Sequence, residues 1–279
     1  MNFRIFLLAL IGHLIGDFIL QSKYVISKRF NKKVKDMVIG NLLHSIMHFG
    51  VVSILLLVYL LSNSAFDLST YFQIIFLILV LHSIIDIIKS ILVSKYPFWK
   101  NNVFIFLLDQ LIHILVLAFL SFQFNLSSIL AQGRIIINNY PNNIPIVDRY
   151  LILVIVFLSS TFGIGIFIKI FINYINLKDY KNFINKGNKL VKTPNLDIGV
   201  NNGGYIIGIL ERIFILLGMS IMQPGMIGFV LTAKSIARFK KLDDSSFVEY
   251  FIIGTFVSFI SAIIGGIIIY SLKIIPAIK

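Results

Sequence analysis

The chain has 279 residues, 58% of them hydrophobic and only 13% charged, with a formal net charge of +13 and a mean hydropathy of +0.93. Soluble domains are about 45–50% apolar, so this composition excludes an ordinary soluble domain, and the excess of Lys and Arg reads as cytoplasmic loops rather than as a nucleic-acid surface. The absence of cysteine excludes a disulfide framework, thiolate metal ligands and a cysteine nucleophile.

A bilayer span needs roughly 20 apolar residues. On that measure the sequence predicts an all-α, polytopic transmembrane helix bundle of about eight spans: 3–22, 37–61, 70–94, 103–124, 149–173, 204–222, 225–241 and 247–272. Met1 to Leu10 lacks a small-residue cleavage site and reads as part of a retained helix. The sixth and seventh spans, separated only by Gln223 and Pro224, read as a tight hairpin or a re-entrant pair. Every second loop is basic: Lys23, Lys28, Arg29, Lys32, Lys33 and Lys35 follow the first span, and Lys89, Lys95 and Lys100 precede the fourth. Lys169, Lys178, Lys181, Lys186, Lys189 and Lys192 lie at or beyond the end of the fifth, and Lys234, Arg238, Lys240 and Lys241 at the end of the seventh. Eight spans with both termini outside the cell membrane satisfy this pattern. The polar stretch 125–148 is read as an outside loop dividing two halves, 1–124 and 149–279.

All five histidines lie in the first half, and each is four residues from another ionisable group: His13 with Asp17, His44 with His48, His82 with Asp86, Asp109 with His113. Residues four apart share a helix face. Measured from the cytoplasmic ends of their spans, the four pairs lie at about one to three turns' depth. Ionisable groups inside a membrane face the bundle interior and mark function, so four pairs at one level predict one convergent site. Imidazole and carboxylate suit a divalent ion such as Zn, Mn or Fe. The metal ligands are drawn from His13, Asp17, His44, His48, His82, Asp86, Asp109 and His113. Asp17, Asp86 and Asp109 are the candidates for proton transfer, and Gln21, Asn41, Ser45 and Gln110 are expected around them.

The second half carries Glu211, Arg212, Lys234 and Arg238 in apolar surroundings. Lys234 and Arg238 share a face, and Glu211 is expected to pair with one of them, because an unpaired buried carboxylate is costly. The remaining cations are candidates to hold an anionic group, Arg being suited to phosphate. Asn201, Asn202, Gly203, Gly204 and Gly208 open the sixth span and form a weak anion motif.

The stretch His13-Leu-Ile-Gly-Asp17-Phe-Ile-Leu-Gln21, with His44, His82-Ser-Ile-Ile-Asp86 and Asp109-Gln110-Leu-Ile-His113, resembles the bacterial membrane family labelled domain of unknown function 3307. Ile207-Gly208-Ile-Leu-Glu211-Arg212, Ala233-Lys234-Ser235-Ile-Ala-Arg238-Phe239 and Glu249-Tyr250-Phe-Ile-Ile-Gly254-Thr255 resemble its longer members. The resemblance implies a fold but no activity. The first half is also distantly similar to membrane-bound metal-dependent hydrolases. The leading expectation is therefore a metal-dependent hydrolase acting on an anionic small molecule or lipid headgroup, with membrane lipid as partner and no nucleic acid. The alternatives are a divalent-cation or proton transporter or channel, and a non-catalytic scaffold with a structural metal or polar network. Apolar outer halves of the first four spans count against a transit path.

Overall fold

The computed structural model describes residues 2–62, 67–138, 140–185, 203–239 and 245–274. Among them the secondary structure is helical: α1 Asn2–Ile15, α2 Lys23–Arg29, α3 Val34–Ser62, α4 Leu68–Lys95, α5 Val103–Ser121, α6 Leu126–Asn138, α7 Ile146–Leu158, α8 Ile164–Asn185, α9 Gly203–Ser220, α10 Gly225–Ala237 and α11 Ser245–Ser271. Asn201, Asn202, Lys186, Lys189, Lys192, Lys240 and Lys241 lie outside the described residues.

Seven helical stretches are long and apolar enough to cross a bilayer: Asn2–Leu20, Val34–Ser62, Leu68–Lys95, Val103–Ser121, Ile146–Ile175, Gly203–Ser220 and Val248–Ser271. The predicted spans match these and the shorter α10. With 13 residues, α10 is about 20 Å long, less than the ~30 Å hydrocarbon core. It returns against α9 through a turn in which Met222 has φ 59° and Gln223 N–H donates to the Gly218 carbonyl at 2.7 Å, a helix-ending motif that usually takes glycine.

Two π-helical segments interrupt the spans, Gly16–Leu20 after α1 and Ser159–Gly163 between α7 and α8. Such single-turn insertions frequently mark functional or strained positions. Two short helices fall where loops are predicted. In the 23–36 loop, Ser22 caps α2 by accepting from Val25 N–H at 3.3 Å. In the 125–148 loop, α6 is amphipathic with no buried residue, as befits a helix lying in the membrane interface.

The described residues form two compact units, one comprising residues 2–62, 67–100, 104–138, 140–159 and 271–274, the other residues 101–103, 160–185, 203–239 and 245–270. In the first, α1 packs on α3 and α7, and α3 packs on α2 and α4. Small residues permit the close approaches: a Cβ on Gly12 would stand 2.5 Å from Val52 Cγ2, and one on Gly40 would stand 2.5 Å from the backbone nitrogen of Arg29. At the end of α1 remote from the histidines, Arg4 pairs with Asp148 at 2.5 Å. In the second unit, α9 packs on α8 and α10.

A buried histidine and aspartate cluster

The four ionisable pairs of the first unit face one another. His13, at the end of α1, lies 5.4 Å from the ring of His48, 5.7 Å from His82 and 5.0 Å from His113. His48 and His82 are 4.1 Å apart, His44 and His48 4.5 Å, His82 and His113 4.5 Å. All five rings are buried. Each helix supplies its pair through the i, i+4 spacing, and the π-helical turn at Gly16–Leu20 carries Asp17 at its start. Gly16 makes the room: a Cβ there would overlap the His48 ring.

Asp17 is the hub. Its Oδ1 lies 3.1 Å from His44 Nε2 and 3.0 Å from His48 Nε2, and its Oδ2 accepts from Gln110 Nε2 at 2.8 Å. Gln110 also reaches His13 Nε2 through its Oε1 at 3.3 Å. The role expected of Gln110 around the cluster is thus occupied. Asn41 sits one turn from His44, bonded to Ser90 and to the Met37 carbonyl, while the buried Ser45 hydroxyl has no partner among the described residues.

The other two carboxylates are arranged differently. Asp86 Oδ1 is 2.6 Å from Arg29 Nη2, and Asp109 Oδ2 accepts from Lys89 Nζ at 2.5 Å. The opposite oxygens, Asp86 Oδ2 and Asp109 Oδ1, are buried without a hydrogen-bond partner, as are His82 Nε2 and His113 Nε2. His82 Nε2 and His44 Nε2 lie 3.5 and 3.4 Å from Asp86 Oδ2, separations or alignments outside good hydrogen bonding. His113 Nδ1 donates to the Asp109 carbonyl at 2.8 Å. That bond places the proton on Nδ1 and leaves the Nε2 lone pair directed into the cluster, the arrangement of a metal-ligating imidazole.

Three groups bring one ligand atom per residue within 4.8 Å of one another: His13, Asp17, His48 and His82; His44, His82 and Asp86; and Asp86, Asp109 and His113. Buried polar atoms are normally satisfied. Asp86 Oδ2, Asp109 Oδ1, His82 Nε2 and His113 Nε2, all orphaned, belong to residues of these groups, and a divalent cation takes nitrogen and oxygen ligands of this kind.

Arg29 and Lys89 are the residues that sequence reasoning missed. In the sequence Arg29 reads as part of the basic loop that sets topology. Instead α2 docks over Gly40 and buries the guanidinium, whose Nε donates to Asn41 Oδ1 at 3.1 Å. Its only sequence signal is the Ser22 cap that starts α2 close after the first span.

In the second unit, Lys234 Nζ donates to Glu211 Oε2 at 2.7 Å, the pairing the sequence predicts. Arg212 is buried and donates to the Thr161 carbonyl from Nε at 3.0 Å and Nη2 at 2.6 Å, and to Ser258 Oγ from Nη1 at 3.2 Å. Gly165 and Gly208 make space for it, since a Cβ at either would stand 2.9 or 3.1 Å from its Nη atoms. A π-helical turn frees a carbonyl from the regular ladder, and Arg212 takes the one at Thr161. Arg238 stacks over the Phe251 ring at 5.9 Å.

A multi-pass helical membrane protein with a buried His/Asp cluster in its first four long spans is the class that fold and site define. Residues 5–137 match the family model described as "Protein of unknown function (DUF3307)". The match covers every histidine and Asp17, Asp86 and Asp109, together with Arg29 and Lys89, and its description carries no activity. No curated protein and no solved structure matches the chain.

Proposed function

We propose that the first unit holds a divalent metal ion within the membrane and that the protein is a metal-dependent hydrolase of an anionic substrate, a phosphoester or lipid headgroup. The observation that carries the metal is the pair of buried ligand groups that share Asp86, namely Asp86, Asp109 and His113 and then His44, His82 and Asp86, in which Asp86 Oδ2, Asp109 Oδ1, His82 Nε2 and His113 Nε2 have no hydrogen-bond partner. A bound divalent ion of this ligand type polarises a phosphoryl oxygen and makes water a nucleophile near neutral pH. The chain's own residues do the rest. His82 and His113, with Asp86 and Asp109, would hold the ion. Asp17, slightly exposed at 12% and linked to three histidines and Gln110, would take and pass a proton. Apolar buried residues on the remote side of the cluster, Ile5, Leu8, Val52, Leu56 and Ile78, favour a site served from one leaflet over a transit path. The basic loops make that leaflet the cytoplasmic one.

Elemental analysis of protein purified in detergent tests the reading. The expected result is about one Zn, Mn or Fe per chain, lost in a His13→Ala/His82→Ala double variant. Background metal in the wild type, or undiminished metal in the double variant, would sink it. Hydrolysis of phosphoester lipids by wild type and not by Asp17→Asn would support the reaction. Metal uptake into proteoliposomes would replace the hydrolase with a transporter.

A further inference from the structure

Arg29 and Lys89 give the cluster an unusual charge balance. Three carboxylates, Asp17, Asp86 and Asp109, stand against two basic side chains, and ligating imidazoles are neutral. The empty cluster therefore carries one negative charge, and a divalent ion turns it into one positive charge. A second divalent ion would make it three positive, a severe penalty in a low-dielectric interior. A net positive site in that environment calls for an anion.

The same two residues have donors to spare. Arg29 donates from Nε to Asn41, and its Nη2 stands 2.6 Å from Asp86 Oδ1 as an ion pair without hydrogen-bond alignment, so most of its five-donor fork is unused. Lys89 uses one ammonium proton on Asp109, and its side chain is 22% exposed, the most accessible charge of the cluster. Each stands against one oxygen of a carboxylate whose other oxygen is buried without a hydrogen-bond partner. An ion held by those free oxygens would lie one carboxylate's width from both cations and need not displace either.

Resting on the metal reading above, we infer that the loaded cluster binds one phosphate-type oxyanion, with Arg29 and Lys89 as the side chains that hold it beside the metal. A planar guanidinium fork and an ammonium together match the several oxygens of a tetrahedral phosphate. A lipid phosphate and a soluble phosphate offer the same chemistry. The inference also sets the metal stoichiometry at one per chain.

Calorimetry on the full-length protein in phosphatidylcholine nanodiscs tests this. Cobalt(II) is titrated first and inorganic phosphate second. We expect one cobalt per chain, and phosphate binding to the loaded protein at least ~10-fold tighter than to the metal-free protein, with cobalt tightened reciprocally by the same factor. Lys89→Gln should weaken phosphate at least ~10-fold, the value of a lost charged hydrogen bond, while cobalt binds as tightly as before or tighter. Loss of structure would weaken both, so the opposed directions identify the role. Arg29→Gln should behave alike, and Lys89→Gln carries the test alone if that variant does not fold. In nanodiscs containing phosphatidic acid, abolished phosphate heat with tightened cobalt identifies the lipid as source; unchanged phosphate heat identifies the soluble anion. No cobalt binding overturns the metal reading and the inference together. Bound cobalt without phosphate or phosphatidic acid binding overturns the inference alone. Equal tightening by chloride, or two cobalt ions per chain without an anion, overturns it too.

Discussion

Replacing Arg29 by Met tests whether the cationic loop contains a structural charge. The pair it forms with Asp86 is 2.6 Å long, with side chains 3% and 2% exposed. Removing one partner of such a pair leaves a buried carboxylate uncompensated and costs about 3–5 kcal/mol. The loss at Asn41 is softened, because Ser90 Oγ also donates to Asn41 Oδ1 at 3.1 Å. Its neighbour Lys28 is the control. Lys28 lies 3.8 Å from Asp36, with side chains 25% and 33% exposed, so Lys28→Met is worth less than about 1 kcal/mol after screening. Unfolding in mixed micelles, in metal-free buffer, should show Arg29→Met far less stable than Lys28→Met. Asp86→Asn in the Arg29→Met background should recover most of the loss, giving a coupling of about 2 kcal/mol or more in the double-mutant cycle. Equal stability of the two single variants, or simple additivity of Arg29→Met and Asp86→Asn, would refute the buried pair.

Gly16→Ala places a methyl group against the His48 ring; metal affinity should fall about 10–100-fold, as for loss of a ligand's support, read by competition with a chelator. Gly12→Ala meets Val52 Cγ2 at 2.5 Å and its Cα at 3.3 Å, whereas a Cβ on Gly50 meets nothing within 4 Å; the first should destabilise by about 1–3 kcal/mol and the second should not, by the same unfolding assay. Arg212→Met strips donors from the Thr161 carbonyl and Ser258 and should cost about 2–4 kcal/mol, while Arg212→Lys should recover only part because it lacks the fork. Asp67 caps α4 by accepting from Thr70 N–H at 2.7 Å and from its hydroxyl at 2.8 Å, which holds its carboxyl below the usual range. The folded value is the lower one, so the cap's contribution is present above the unfolded pKa of about 3.9 and disappears as pH falls through the folded value. Amide exchange at Thr70, corrected for intrinsic rates, should rise below about pH 4 in wild type and be pH-independent in Asp67→Ala.

The spans were legible because the bilayer leaves little choice: only helices satisfy the backbone there, and their length is set by its thickness. The cluster was legible for a related reason. Polar residues are so scarce in α1, α3, α4 and α5 that His13, His44, His82 and Asp109, each with a partner four residues on, define a face unaided. Arg29 was not, since a cation in a basic loop already has a topological explanation, and its burial depends on α2 docking over Gly40. Lys89 shares the His82–Asp86 face of α4, seven residues after His82 and three after Asp86, but a lysine near the basic end of a span also has a topological explanation, and nothing local aims it at Asp109 on α5. The two π-helical turns coincide with tertiary contacts, Asp17 among the histidines and the Thr161 carbonyl under Arg212, that no local pattern announces. Gly208, which the sequence offers as part of an anion motif, makes room for the Arg212 guanidinium.

X-ray absorption at the zinc edge of protein loaded with one equivalent of zinc addresses the metal centre most directly. The predicted first shell is nitrogen and oxygen at about 2.0–2.2 Å with no sulfur, with the outer scattering of at least two imidazoles that disappears in His82→Ala/His113→Ala. A shell of oxygen alone, without imidazole scattering, would contradict a metal centre in this cluster.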